Sequence, residues 1–357
     1  MASLMRRKTG GWASSITVLA AVLGSLSCAR PKPRERPFVI ALHGGAGVVA
    51  RRDMTPQLEK IYRDALDQAL DAGYRVLESG GGSVEAVEAT IRIMEDSPLF
   101  NAGKGASFTS AGTNELDAAI MNGKTMQAGA VAAVQFVKNP ISLARLVMEK
   151  SPHVLLVGEG ALAFAREQGA EIMPAEYFYT DRRWESLRQN VEANVPFGKQ
   201  MRDSTAAAVP KKKGPAEDSF DTVGAVALDK TGNLAAGTST GGRVKKRPGR
   251  VGDSPIIGAG CYAENSTCAA STTGLGEKHM VICSTKEISA LMAHKKIGVQ
   301  PAVDDVILRQ LKAVGGEGGA VALDKDGVFA SAFTGEGMYR GYRRSTGERD
   351  VKIYREE

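Results

Sequence analysis

Asp221 to Gly242 reads DTVGAVALDKTGNLAAGTSTGG and sets a threonine at the junction between two kinds of chain. Thr222 to Leu228 alternates small and β-branched residues as a buried strand does. Asp229 to Asn233 (DKTGN) is a turn, and Leu234 to Thr238 reads as the returning strand of a hairpin. The preceding stretch, VPFGKQMRDSTAAAVPKKKGPAEDSF from Val195 to Phe220, has a lysine run, scattered prolines and no apolar periodicity, which is the pattern of an exposed linker. If the Asp221–Thr222 bond were cut, Thr222 would carry both a hydroxyl and a free α-amine. Threonine is a weak nucleophile that needs an adjacent base, and an amine titrating near about 7.7–8.0 supplies one within the same residue. The pattern taken alone also fits an ordinary hairpin after a long loop.

Upstream, Phe38 to Leu42 (FVIAL) is a short apolar run that ends in the glycine turn HGGAG. Leu58 to Leu77 places its apolar residues largely on one helical face, and after SGGG a second helix begins with Ser83 as N-cap and Val84, Val87, Ile91 and Met94 as its stripe. Glu115–Met121 and Ala128–Val137 read as strands. Ile141–Glu149 and Gly160–Gln168 read as helices on either side of HVLLVG. Past the linker, strands near 223–229, 234–238 and 256–262 precede helices near 285–297 and 301–314 and a last hairpin around DKDG, from Gly319 to Thr334. Strands and helices therefore come in blocks, which favours layered sheets with helices outside over a doubly wound parallel fold.

The 357 residues, 43% of them hydrophobic and 24% charged, suffice for a sizeable globular core. The net charge of +6 does not imply a nucleic-acid partner, because no basic run is interleaved with aromatics. Residues 1–29 read as a signal peptide: Arg6-Arg7-Lys8 precedes an apolar stretch from Ile16 to Leu26 that is too short for a permanent membrane span. Export follows, to the periplasm or, if Cys28 is lipid-modified, to a membrane; Ser25 stands where a lipobox prefers Leu, and cleavage near Ser27 or Ala29 is the alternative. Residues 30–37 would then be a tether. Of the other cysteines, Cys261 and Cys268 are the candidate disulfide in an oxidising compartment, with buried free thiols as the alternative. His43, His153, His279 and His294 show no metal-ligand spacing.

Seven motifs in order carry a resemblance to a known family: HGGAG (His43–Gly47), PLFNAGKGASFT (Pro98–Thr109), NELDAAIMNG (Asn114–Gly123), DTVGAVALD (Asp221–Asp229), TSTGG (Thr238–Gly242), GRVGDSPIIGAG (Gly249–Gly260) and STTGLGE (Ser271–Glu277). The chain resembles the N-terminal-nucleophile hydrolases of the plant-type L-asparaginase and isoaspartyl peptidase family, from Phe38 to the last hairpin. The resemblance implies an α+β fold, a four-layer αββα sandwich, and a precursor that cleaves itself between Asp221 and Thr222. It implies an α subunit of residues 38–221, ending in the linker 195–221, and a β subunit of residues 222–357 within one domain.

Roles carry over position by position. Thr222 would be the nucleophile, with its own amine as base, and Thr240 would hydrogen-bond to it. Thr273 and Gly274 would form the oxyanion hole, and Asn101 would stand near the nucleophile. Arg250 and Asp253 would hold the α-carboxylate and α-ammonium of an amino-acid substrate, a pairing that suits a bidentate guanidinium and a carboxylate. Gly274 and Gly276 would let the substrate lie against backbone. The implied reaction releases aspartate from L-asparagine or β-aspartyl dipeptides. A glycosylasparaginase-like amidase is the neighbouring alternative, and a non-catalytic exported amino-acid-binding protein is one from another class. The resemblance further implies a dimer of αβ units and no cofactor for catalysis. It also implies a structural sodium ion held by main-chain carbonyls of Met94, Glu95, Ser97, Phe100, Ala102 and Lys104. The chain departs from the family pattern after TSTGG, where RVKKRPGR places Pro248 just before Gly249 and Arg250.

Overall fold

A computed structural model describes residues 37–47, 51–192 and 222–355. Residues 1–29, read above as a signal peptide, residues 30–36 of the expected tether, Cys28, and residues 195–221 of the expected linker with Asp221 lie outside the described residues.

Two sheets form the centre. The larger is built from β1 (Val39–Gly47), β2 (Leu116–Asn122), β3 (Ala128–Val134), β4 (Leu155–Val157), β5 (Val223–Leu228), β6 (Leu234–Thr240), β11 (Gly337–Arg344) and β12 (Arg349–Tyr354), in the order β12-β11-β1-β5-β6-β2-β3-β4. The smaller is β10-β9-β8-β7, with β7 at Cys261–Ala263, β8 at Cys268–Gly274, β9 at Gly318–Asp324 and β10 at Phe329–Phe333. Helices α1 (Pro56–Glu78), α2 (Ser83–Glu95), α3 (Pro140–Lys150) and α4 (Gly158–Glu167) pack on the outer face of the large sheet. The helices α7 (Ser284–Lys295) and α8 (Val299–Asp304), the latter continued by a π-helical segment to Leu311, cover the outer face of the small one. The architecture is the αββα sandwich expected from the sequence.

The period of two along each strand sorts the side chains between layers. On β5, Val223, Ala225 and Ala227 join the core beneath the helices, whereas Val226 and Leu228 join the core between the sheets. Both faces are thus buried, which explains why this strand lacks polar alternation. Thr222 and Gly224 share the parity of Val226 and face the small sheet. By the same rule, Thr238 and Thr240 follow Leu234 and Ala236 on β6, and Asp117 follows Ala119 and Met121 on β2. His43 follows Val39 and Ala41 on β1. In the facing sheet, Ala269 lies in the inter-sheet core and Cys268 and Ala270 lie under the helices, so Ser271 and Thr273 face the large sheet.

Several local expectations are corrected. The cap of α2 is Gly82 rather than Ser83: the Gly82 N–H donates to Glu85 Oε2 at 3.1 Å, and the Ser83 N–H is taken by Asp229 Oδ2 at 3.1 Å. The strand near 256–262 is confined to Cys261–Ala263, because Ile256 to Gly260 is spent on turns closed by the Asp253 and Ile256 carbonyls. The strand from Ala128 stops at Val134, where left-handed backbone at Ala133 (φ 50°) and Phe136 (φ 67°) breaks the ladder. The hairpin around DKDG is present as β9 and β10, but the chain then adds the further hairpin β11–β12, whose first strand pairs with β1.

Cys261 and Cys268 are not bridged; both are buried free thiols. They sit on opposite faces of the small sheet, Cys261 in the inter-sheet core and Cys268 under the helices, so their side chains diverge. Cys261 Sγ donates to the Ala236 carbonyl at 3.2 Å. Burial pushes both thiols up to about 12.

Candidate active site

The end of β5 meets the end of β6, and register places Val223 opposite Ser239. Thr222 Oγ1 donates to Thr240 Oγ1 at 3.1 Å, and both residues are buried. The Gly242 N–H donates to the same Thr240 oxygen at 3.0 Å, and the Gly242 carbonyl accepts from Asn101 Nδ2 at 2.6 Å. Asn101 is itself fixed by the Ser107 N–H, which donates to its Oδ1 at 2.7 Å. Thr222, Thr240 and Asn101, expected together from their motifs, are therefore joined by one chain of hydrogen bonds. The Gly241–Gly242 turn permits it: a Cβ at Gly241 would lie 2.6 Å from Asn101 Oδ1.

Thr273 approaches from the facing sheet, fully buried at the end of β8, and Gly274 follows with φ 139°. A Cβ at Gly274 would lie 2.4 Å from the Glu317 carbonyl oxygen and from Gly318 Cα. Glycine is required there by backbone packing as well as by conformation.

The loop after β6 carries Arg250 and Asp253. Asp253 is buried and accepts from Thr272 Oγ1 at 2.9 Å, which ties it to the strand that bears Thr273. Its Oδ1 occupies the space a side chain at Gly276 would need, 2.8 Å from where that Cβ would stand. Gly276 thus makes room for Asp253. Arg250 is held by Glu277, whose Oε1 accepts from Arg250 Nε at 3.0 Å and lies 2.9 Å from Nη2. Burial raises the Glu277 carboxyl, but Arg250, a backbone N–H and Arg243 together hold the group below its ordinary range.

His43 and Ser271 were not singled out by their motifs, yet they pack behind Thr222. His43 Nδ1 is 3.0 Å from the Thr222 carbonyl, and Nε2 is 2.8 Å from Ser271 Oγ. Burial pushes the imidazole down to about 3, against the Thr222 hydrogen bond that raises it. The ring is therefore neutral at pH 7. A carbonyl can only accept, so Nδ1 carries the proton and Nε2 accepts from Ser271. Gly224 leaves the space for this contact: a Cβ there would stand 2.0 Å from Ser271 Oγ and 2.3 Å from His43 Nε2. The sequence signal was the glycine two residues after Thr222, whose necessity shows only when β1 and β8 are in place.

The lowered pKa fixes the sign of one pH effect. Below about 6.5 the unfolded chain takes up a proton that folded His43 refuses until about 3, so this group removes stability as pH falls through that window, by up to about 1.4 kcal/mol per unit. The measurement is an imidazole ¹⁵N titration. We expect the His43 resonances to stay those of the Nδ1–H tautomer from pH 8 to pH 5, and a midpoint near 6.5 would contradict the assignment.

The loop from Met94 to Lys104 wraps back on itself at the end of α2. Cβ atoms at Gly103 and Gly105 would lie 2.4 Å from the Glu95 carbonyl oxygen and 2.2 Å from that of Phe100, so both glycines are required by the close approach of this backbone. Carbonyl oxygens are the ligand type a hard cation takes. Some capacity is already used: Met94 O accepts from the Ser97 N–H at 3.3 Å and Ala102 O from the Gly105 N–H at 3.2 Å. No cluster of three His, Cys, Asp or Glu suited to a metal occurs among the described residues.

Comparison with known proteins agrees with this geometry. The family described as asparaginase matches residues 36–353. The chain is 45% identical over 318 residues to an isoaspartyl peptidase of Salmonella typhimurium, covering 89% of this chain and 99% of that one. It is 40% identical over 326 residues to a probable isoaspartyl peptidase/L-asparaginase 2 of Arabidopsis thaliana (89% and 99% covered), and 38% identical over 301 residues to an isoaspartyl peptidase/L-asparaginase of Mus musculus (84% and 86% covered). With the sandwich, the joined threonines and a match across nearly all of the described chain, this protein belongs to the asparaginase family of N-terminal-nucleophile hydrolases.

Proposed function

We propose that this chain is a self-cleaving amidohydrolase that releases L-aspartate from L-asparagine, from β-aspartyl dipeptides or from both, with Thr222 as nucleophile. The carrying observation is the hydrogen bond from Thr222 Oγ1 to Thr240 Oγ1 on the inter-sheet face that Thr273 shares. In maturation, the Thr222 hydroxyl attacks the Asp221 carbonyl, the amide nitrogen leaves to become the Thr222 amine, and water hydrolyses the resulting ester. In catalysis, the same oxygen attacks the substrate's side-chain carbonyl while the amine takes its proton. The tetrahedral oxyanion is met by the Thr273 hydroxyl and the Gly274 N–H, and the amine or ammonia departs with a proton. Water then hydrolyses the acyl ester to free aspartate and Thr222. Arg250, steadied by Glu277, and Asp253 hold the α-carboxylate and α-ammonium. A cut before Thr222 would not separate the pieces, because β5 lies between β1 and β6 in one sheet.

The test offers purified mature protein L-asparagine, β-aspartyl-leucine and a glycosyl-asparagine, with aspartate as the readout. Aspartate from the first or second supports the reading. Turnover of the glycosyl-asparagine alone, or ligand binding without product, overturns it.

Three further properties belong to the same reading. The protein is exported and carried to the periplasm or anchored through Cys28, supported by the basic and apolar run of residues 6–26; the N-terminal mass of protein recovered from cells reads this directly. The carbonyls of the 94–104 loop hold sodium, so exchange into choline buffer lowers the thermal midpoint. Two αβ units associate, which light scattering at micromolar concentration checks.

A further inference from the structure

Lys246 is buried where a lysine is costly. It is 2% exposed, in a run RVKKRPGR whose Arg247 is exposed and whose Arg243, Lys245 and Arg250 are half-buried. Taking an ammonium out of water costs several kcal/mol unless partners compensate. Its Nζ donates to the Glu115 carbonyl at 2.8 Å and lies 3.7 Å from Asp117 Oδ2, an ion pair rather than a hydrogen bond. Asp117 is fully buried; its Oδ1 accepts the Ala133 N–H at 2.7 Å, and its Oδ2 has no hydrogen-bond partner. Lys246 therefore supplies the charge that balances that oxygen.

Two features place this pair beside the threonines. Asp117 on β2 is the register partner of Thr240 on β6, and both side chains face the inter-sheet layer. The lysine's far end lies against Gly242: a Cβ there would be 2.8 Å from Lys246 Cδ and 2.9 Å from Nζ. Gly242 adopts φ 73° and is the residue whose N–H donates to Thr240 Oγ1. From Lys246 the contacts run through Gly242 to Thr240 and on to Thr222.

We propose that Lys246, balanced by Asp117, is a positioning residue that holds the Gly241–Gly242 turn so that Thr240 stays aligned on Thr222, without itself touching substrate. The proposal rests on Thr222 being the nucleophile. Burial lowers the Lys246 pKa, with Asp117 opposing that shift and Arg250 adding to it, so the charge on the ammonium depends on its carboxylate partner. A purely structural lysine predicts something different. It would anchor the loop that carries Arg250, whose neighbour Gly249 donates its N–H to Glu115 Oε2 at 2.8 Å, and its loss would then appear as weakened substrate binding.

The experiment compares wild type, Thr222→Ala, Lys246→Met, Asp117→Asn and the double variant Lys246→Met/Asp117→Asn in the full chain. The fraction cleaved, the thermal midpoint, and kcat and KM on a β-aspartyl dipeptide are measured for each. Lys246→Met should lower kcat about 10–100-fold, slow self-cleavage, and leave KM within about threefold. The double variant removes both charges, so it should recover the thermal midpoint while kcat stays low; it also serves if the single variant does not fold. Full kcat in Lys246→Met, a loss confined to KM, or recovery of kcat together with the midpoint in the double variant would each overturn the proposal. If Thr222→Ala stays active, the nucleophile reading falls and takes this one with it. If Thr222→Ala is dead while the double variant runs at wild-type kcat, only the Lys246 proposal falls.

Discussion

Thr222→Ala protein should remain a single chain on a denaturing gel and lose amidase activity by at least on the order of 10⁴-fold, the scale on which removing a covalent nucleophile acts. Wild type, in contrast, should give two fragments, the smaller beginning at Thr222. The size of the effect follows from one oxygen serving both reactions. Without it there is no attack on the Asp221 carbonyl, hence no free amine, and no acyl ester with substrate. Stability should change little, because the side chain lost is small and Thr240 Oγ1 keeps the hydrogen bond it accepts from the Gly242 N–H. Intact-mass measurement and a turnover assay on the same sample check both halves. Full cleavage in the variant, or activity in uncleaved wild type, would remove Thr222 from its role.

Gly274→Ala should lose about 10²–10³-fold in kcat and several degrees in thermal midpoint. At φ 139° an L side chain is strained, which costs about 1–3 kcal/mol. The added Cβ would also meet the Glu317 oxygen and Gly318 Cα, both at 2.4 Å. Those atoms are backbone, and Gly318 is the ladder partner of Gly274, so neither neighbour can swing aside as a side chain would. Relief must come from rotating the 274 peptide, which turns away the N–H assigned to the oxyanion. Losing one such donor is worth about 2.7–4 kcal/mol of barrier. Steady-state kinetics and a melting curve separate the parts: an unchanged kcat with a lowered midpoint would mean that Gly274 serves packing alone.

The site was legible mainly through the family's motifs. Thr222 stood out in the sequence as the residue that opens a hairpin after a linker, whereas Thr240 in TSTGG and Thr273 in STTG were marked by the resemblance. Arg250 and Asp253 were paired by the resemblance, and the pairing suits an amino acid, which presents both signs. Residues were missed where the partner is distant. His43 reaches Thr222 across 179 positions and Ser271 across 228, and neither HGGAG nor STTG says which faces which. Glu277 stood inside a quoted motif, but its bond to Arg250 depends on α6 (Gly276–Ile282) turning back over the loop. Lys246 is one of five cations in RVKKRPGR, and its burial against Gly242 is what separates it from exposed Arg247.

The sequence by itself determined neither β8 nor the hairpin β11–β12, but it did determine the block order of strands and helices up to the hairpin around DKDG and the threonine that begins β5. Those follow from periods of two and 3.6 and from turn residues, which act over a few positions. The tertiary structure alone decided which faces meet. It brought β8 onto β5 and β6 so that Thr273 faces the large sheet, sent Cys261 and Cys268 to opposite sides of one sheet, and set a buried lysine beside Asp117. Register between distant strands and packing between sheets are long-range choices. They are settled by the sum of buried contacts, and no window of sequence contains that sum.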